Sequence, residues 1–181
     1  ESRAMLRRES PRSPLWWPLI AASACVGSPY DAARSGPAPE AAPALAPAPS
    51  APVRPEFVRA AAGDAGVGPV VGAAKREAGA QGRRLVVYVS APWCEPCQVF
   101  HRAVEAGELD RELAGIRFLE FDVDVDALLL SDVGYGGRLI PRFVLPDAQG
   151  HGTDDKIEGG VKGDRAAQEI MTRLRPLLAK R

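Results

Sequence analysis

The chain has 181 residues and sets 23 Lys plus Arg against 23 Asp plus Glu, a formal net charge of zero. That balance argues against a strongly basic nucleic-acid binder and against an acidic tail, and the length suits one modest domain. Of the 17 prolines, 11 fall within the first 55 residues, and Cys25 stands apart from the close pair Cys94 and Cys97. The chain reads as two different polymers joined end to end, with an odd cysteine to explain.

With Met5 read as the initiator, Arg7, Arg8 and Arg12 form a positive head, and an apolar run follows from Pro14 to Ala24. The run is about half the roughly 20 apolar residues that a membrane-spanning helix needs. It therefore reads as an export signal, residues 1–25, and not as an anchor. Ala22, Ser23 and Ala24 lie directly before Cys25, where a signal peptidase needs compact side chains. Small residues ending in Cys after an apolar core resemble the lipobox of bacterial lipoproteins, although Ala22 stands where a larger aliphatic residue is usual. The resemblance implies a lipidated Cys25 that anchors the protein to the membrane on the periplasmic side of the cell envelope. Val26, in place of the Asp that often signals inner-membrane retention, leans toward the outer membrane. The alternative is a plain secretory signal with an incidental thiol, which leaves a soluble periplasmic or secreted protein.

Residues 26–64 read as a linker. Seven prolines and seven alanines occupy the 20 positions from Gly36 to Pro55. Proline fixes φ and disfavours helix at the residue before it, so an extended, poorly ordered spacer is expected. Such a stretch has too little apolar surface to fold by itself.

From residue 65 to 181 the pattern is that of one α/β domain. Residues 69–80 are expected to form a short helix closed by Gly79 and Gly82. Arg84 to Ser90 reads as a buried strand rich in β-branched and aromatic residues. After the Cys94–Cys97 turn, Gln98 to Ala106 continues as a helix until Gly107. Residues 116–123 alternate as a second strand, and 126–132 contain a short helix. Arg142 to Leu145 and Lys156 to Val161 read as a strand pair joined by a turn-rich segment. The final helix is expected to take Asp164 as N-cap and to bury Ala167, Ile170, Met171, Leu174 and Leu178 on one face. Strands alternating with helices and ending in a hairpin imply a central mixed sheet with helices on both sides.

The chemistry is concentrated at Cys94 and Cys97. A strand delivers them to a helix start, where unsatisfied N–H groups and the macrodipole favour negative charge and lower a thiol's pKa. Cys94, at the expected exposed end, is read as the attacking nucleophile and Cys97, one turn further in, as the resolving thiol. Pro96 sits in the first turn, where its missing N–H costs little.

Trp93-Cys94-Glu95-Pro96-Cys97 after an apolar strand, with Ile140-Pro141 and Phe143-Val144-Leu145 downstream, resembles the thioredoxin superfamily over roughly residues 65 to 181. The resemblance implies a three-layer α/β/α fold, a cis Ile140–Pro141 bond facing the disulfide, and a substrate groove formed by Trp93, Pro96, Ile140 and Pro141. The backbone of Ile140 would pair with an incoming polypeptide, and Pro141 would keep metal from the sulfurs. The spacing from Cys94 to Pro141 leaves no room for the extra strand and helix of the peroxiredoxin-related reductases that serve cytochrome c maturation. The layout is closer to the C-terminal periplasmic domain of the DsbD-type disulfide reductase. The resemblance implies no cofactor beyond the redox-active Cys94–Cys97 disulfide, exported protein thiols and disulfides as partners, and an upstream membrane or periplasmic thiol reductant.

Two departures concern the proton. Thioredoxins carry a buried Asp six residues before the first cysteine, and here that place holds Tyr88. Proton transfer then falls to Tyr88, Glu95 or water. The charge of Glu95 between the thiols disfavours a thiolate, which argues for a reductant or isomerase with a potential nearer the reducing end.

Three other readings stand beside this one. Cys94, Cys97, His101 and His151 supply four zinc ligands on paper, but His101 lies a full turn beyond Cys97 and no second close pair exists, so no metal is expected. A structural disulfide is conceivable in an exported protein. A non-catalytic binding module would use the same groove to hold unfolded chains. His101 reads as a solvated helix residue, Asp122, Asp124 and Asp126 as an acidic loop, and Arg142 as a bias of the groove toward acidic partners.

Overall fold

The computed structural model describes residues 53–180. Five strands form one mixed sheet: β1 (Glu56–Arg59), β2 (Arg84–Ser90), β3 (Ile116–Asp122), β4 (Arg142–Pro146) and β5 (Gly152–Glu158), in the order β1-β3-β2-β4-β5. β3 runs parallel to both β1 and β2, whereas β4 is antiparallel to β2 and to β5. The helices are α1 (Val67–Ala80), α2 (Glu95–Glu105), α3 (Val123–Asp132) and α4 (Ala166–Ala179). The expected three-layer α/β/α arrangement, a central mixed sheet with helices on both faces, is present.

The two-residue period of the strands divides the core. Val86, Tyr88, Phe118, Phe143 and Leu145 point to the face covered by Phe100 and Val104 of α2 and by Ile170, Met171 and Leu174 of α4. Val87, Val89, Leu119, Phe121 and Val144 point the other way, against Val67, Val71 and Ala78 of α1 and Leu130 of α3. Burying each of these large side chains contributes roughly 1.5–3 kcal/mol, so both layers are needed. β2 and β3 are buried on both faces, which explains their near-continuous apolar runs.

Four sequence expectations shift. β1 lies inside the range assigned to the linker: Phe57 pairs in register with Phe118 and stacks on it, with ring centroids 5.1 Å apart. Four residues between prolines and small residues carry little periodicity, and only the free edge of β3 makes them a strand. β5 begins at Gly152 and ends at Glu158, earlier than the expected 156–161, because Gly159 at φ +77° turns the chain. α3 begins at Val123, where Asp122 is its N-cap and accepts from the Asp124 N–H at 2.9 Å. α4 begins at Ala166 with Arg165 at the cap position and no side-chain cap, so Asp164 is not the N-cap. Its buried face uses Leu177, with Leu178 only half-buried.

The leader, the lipobox-like site at Cys25 and most of the linker lie outside the described residues. Among the described residues, no helix is long and apolar enough to cross a membrane.

Candidate active site

β2 ends at Ser90, and the chain turns through Ala91, Pro92 and Trp93 with the Cys94 N–H donating to the Ala91 carbonyl at 3.1 Å. Cys94 is the N-cap of α2, in extended conformation, and its Sγ accepts the N–H of Cys97 at 3.3 Å. Pro96 falls in the first turn, where no helical hydrogen bond is lost. Cys94 and Cys97 are joined as a disulfide with an S–S distance of 2.00 Å and 5.2 Å between their Cα atoms. Both are buried, at 3% and 2% exposure. Exposure therefore does not single out Cys94 as expected; its position does, because a sulfur at the N-cap receives the orphan N–H groups of the first turn.

The Ile140–Pro141 peptide bond is cis. Pro141 accepts the Gly159 N–H at 2.8 Å, and the adjoining Gly160 passes close to the cysteine loop. A Cβ placed on Gly160 would lie 3.0 Å from the Cβ of Pro96 and 3.5 Å from the Cδ of Pro141, so Pro96, Pro141 and Gly160 converge. Glu95 adds a tether, since its Oε1 accepts the Gly163 N–H at 2.8 Å. Ile140 is half-buried against both core layers. Trp93 is 66% exposed, and its Nε1–H donates to Oδ2 of Asp124 at 2.7 Å.

Arg142 does not face a groove. Its guanidinium is buried and donates to the carbonyls of Tyr135 at 2.7 Å and Leu139 at 2.9 Å and to Oε2 of Glu158 at 3.2 Å. Residues 135–139 and 158 wrap it completely, so it holds the approach to Pro141 in place and offers no charge to a partner. Each of its three nitrogens donates to an acceptor, which explains how a full positive charge is tolerated at this depth.

Tyr88 is fully buried, stacks on Phe143 at 4.8 Å, and its hydroxyl has no hydrogen-bond partner. Burial, and then the charge of Glu120, push its pKa well above the ordinary value, so the phenol stays protonated and supplies no base. Its register partner on β3 is Glu120, which sequence reasoning passed over. The Glu120 side chain is 9% exposed; its Oε1 accepts from Ser90 Oγ at 2.6 Å and lies 2.9 Å from Nε2 of His101. Burial works against the Glu120 charge, but hydrogen bonds from His101 and Ser90 and the charges of His101 and Arg59 outweigh it and hold the pKa below the ordinary value.

His101 is accordingly not a solvated helix residue. Its ring stacks on Phe57 with centroids 3.8 Å apart. Cys97, Ser90, His101, Glu120 and Arg59 line one cleft of about 520 Å³, which opens between the start of α2 and the ends of β1 and β3. Two signals were available in the sequence. Glu120 shares strand parity with Phe118, and His101 follows Cys97 at i+4, the spacing of neighbours on one helix face.

The acidic residues 122–126 do not form an open loop either. Asp122 caps α3, Asp124 holds Trp93, and buried Asp126 accepts the Ala62 N–H at 3.3 Å. His151 lies by Gly68 of α1, on the sheet face opposite to His101. Among the described residues no group of three or more His, Cys, Asp or Glu is arranged to hold a metal ion.

Residues 70–148 match the family model described as thioredoxin-like, a span from α1 through β4 that contains both cysteines and the cis-proline. No curated protein matches the chain. Among solved structures, a mutant thioredoxin from Halobacterium salinarum is similar, with 20% identity over 72% of this chain and 96% of that chain and a TM-score of 0.38. Residues 70–148 are thus thioredoxin-like by the family match, and they hold both the disulfide at the N-terminus of α2 and the cis-proline before β4.

Proposed function

We propose that the protein is a thiol–disulfide oxidoreductase of the cell envelope that reduces or isomerises disulfides of exported proteins, held at the membrane through a lipid on Cys25. The observation that carries the catalytic part is the disulfide at a helix N-terminus, with Cys94 Sγ accepting the Cys97 N–H.

In the reduced enzyme the same donors stabilise a Cys94 thiolate, the species that attacks disulfides. Attack forms a Cys94–client disulfide and releases one client thiolate. Cys97 then displaces the second client sulfur, closing the Cys94–Cys97 bond. The client gains two electrons and the dithiol loses them, so an upstream thiol reductant must restore the pair. The groove of Trp93, Pro96, Ile140 and Pro141 receives the client chain, and the charge of Glu95 keeps the couple toward the reducing end. No further cofactor takes part.

Insulin reduction in the presence of dithiothreitol tests this reading. The wild-type chain is expected to accelerate precipitation of the insulin B chain, and Cys94→Ser, Cys97→Ser is expected to abolish the acceleration. Equal activity of the double variant would leave a binding module in place of an enzyme.

A further inference from the structure

We propose that His101, oriented by Glu120, accepts the proton of the Cys97 thiol in the resolving step. The inference rests on the oxidoreductase reading and adds the group that moves the proton.

Displacement by Cys97 requires its thiolate, and Cys97 is 2% exposed at the end of a cleft. A proton leaving that sulfur needs an acceptor within the cleft. Tyr88, at the place nearest in sequence to expectation, is held protonated by burial. Glu95 lies outside the lining and is tied to Gly163. His101 lies one helical turn beyond Cys97, on the same face of α2, and both line the cleft. Stacking on Phe57 fixes the imidazole plane, and the contact to Glu120 Oε1 fixes its tautomer. With Nε2–H donated to the carboxylate, the other ring nitrogen is the acceptor.

Glu120 is the positioning residue. Its Oε1 is held by Ser90 and His101, while Oε2 has no hydrogen-bond partner although the side chain is 9% exposed. A buried carboxylate whose Oε1 meets the ring and whose Oε2 makes no hydrogen bond stabilises the imidazolium that forms when the proton arrives. The other groups facing this pair are Arg59 on β1, whose Nε is 3.7 Å from Glu120 Oε2, Tyr88 and Ser90 on β2, Asp122 on β3, and Arg102 and Glu105 on α2. In the step itself the Cys97 S–H bond breaks, its proton passes to His101, and the sulfur forms the bond to Cys94 Sγ. The Cys94–client bond breaks with its electron pair leaving on the client sulfur. Imidazolium then returns the proton to solvent or to the departing thiolate.

The test uses full chains carrying Cys25→Ser and the small disulfide 5,5′-dithiobis(2-nitrobenzoate). Cys94 attack releases one coloured thiolate and Cys97 resolution a second, so stopped-flow absorbance separates the two steps. Loss of a positioned general base typically costs 10²–10⁴-fold, so His101→Gln should slow the second release on the order of 100-fold near neutral pH and leave the first unchanged. Glu120→Gln keeps shape and the Ser90 contact and should slow the same phase by less. An unchanged second release in His101→Gln, or equal slowing of both phases, would overturn the proposal. If both phases behave as expected but insulin is not reduced, the proton step stands and the assignment of client proteins falls. A wild type with no second release would overturn both.

Discussion

The indole Nε1–H of Trp93 donates to Oδ2 of Asp124 at 2.7 Å, tying the residue before Cys94 to the first turn of α3. The indole is otherwise exposed, so this bond is what orients an apolar surface beside the disulfide. Asp124→Ala should free the ring and cost the fold only about 1 kcal/mol, the usual net worth of one hydrogen bond. With Trp16→Phe and Trp17→Phe in the background, fluorescence anisotropy of Trp93 should fall and insulin reduction should slow. Unchanged anisotropy would show that the bond does not hold the ring.

Arg142 is a structural cation whose three acceptors come from residues 135, 139 and 158. Removing one partner of a buried charge cluster leaves the others unsatisfied, so Arg142→Met should lower unfolding free energy by about 3 kcal/mol. Denaturant unfolding measures this, and a loss under about 1 kcal/mol would place the residue among ordinary surface cations, whose pairs contribute little.

Three carboxylates predict the acid limb of stability. Glu120 and Glu158 each sit below the ordinary Glu value of 4.5: burial opposes this in both, while His101 and Ser90 overcome it for Glu120 and Arg142 for Glu158. Asp147 sits below 3.8, first through the His151 backbone N–H. A depressed folded-state pKa contributes stability above the unfolded value that is lost as pH falls through the folded one. The melting temperature should therefore hold near neutrality and decline below about pH 4.5, where the unfolded carboxylates begin to take up protons first. Glu158→Gln should lower the plateau and flatten the decline; an unaltered slope would exclude Glu158 as a contributor.

Phe57 connects the start of the domain to the site, since it stacks on both His101 and Phe118. A chain beginning at residue 53 should melt like the full chain. One beginning at residue 65 loses β1, and removal of a packed phenylalanine alone typically costs about 3 kcal/mol. Equal melting temperatures for the two would return residues 53–64 to the linker.

The sequence was informative where a single physical cause acts locally. The strand expected at Arg84–Ser90, the one expected at 116–123 save its last residue, the cysteines at a helix start and the cis-proline all stand where residue types and the family resemblance put them. It was misleading where a side chain's surroundings come from distant segments. His101 looks solvated until β1 lays Phe57 on it and β3 brings Glu120 to its ring. Arg142 looks like a groove residue until residues 135–139 and Glu158 close around it. Tyr88 looks like a substitute for a missing acid until burial without a partner removes its chemistry. β1 itself is too short to announce a period, and its partner strand lies about 60 residues away.

The central claim is that Cys94 attacks and Cys97 resolves, and trapping of mixed disulfides tests it most directly. Cys97→Ala, added as the Cys94 thiol to disulfide-bonded insulin or envelope proteins, should accumulate mixed-disulfide adducts linked through Cys94 and released by dithiothreitol, whereas Cys94→Ala should accumulate none. Adducts through Cys97 in the Cys94→Ala chain, or no adducts in Cys97→Ala, would contradict the account.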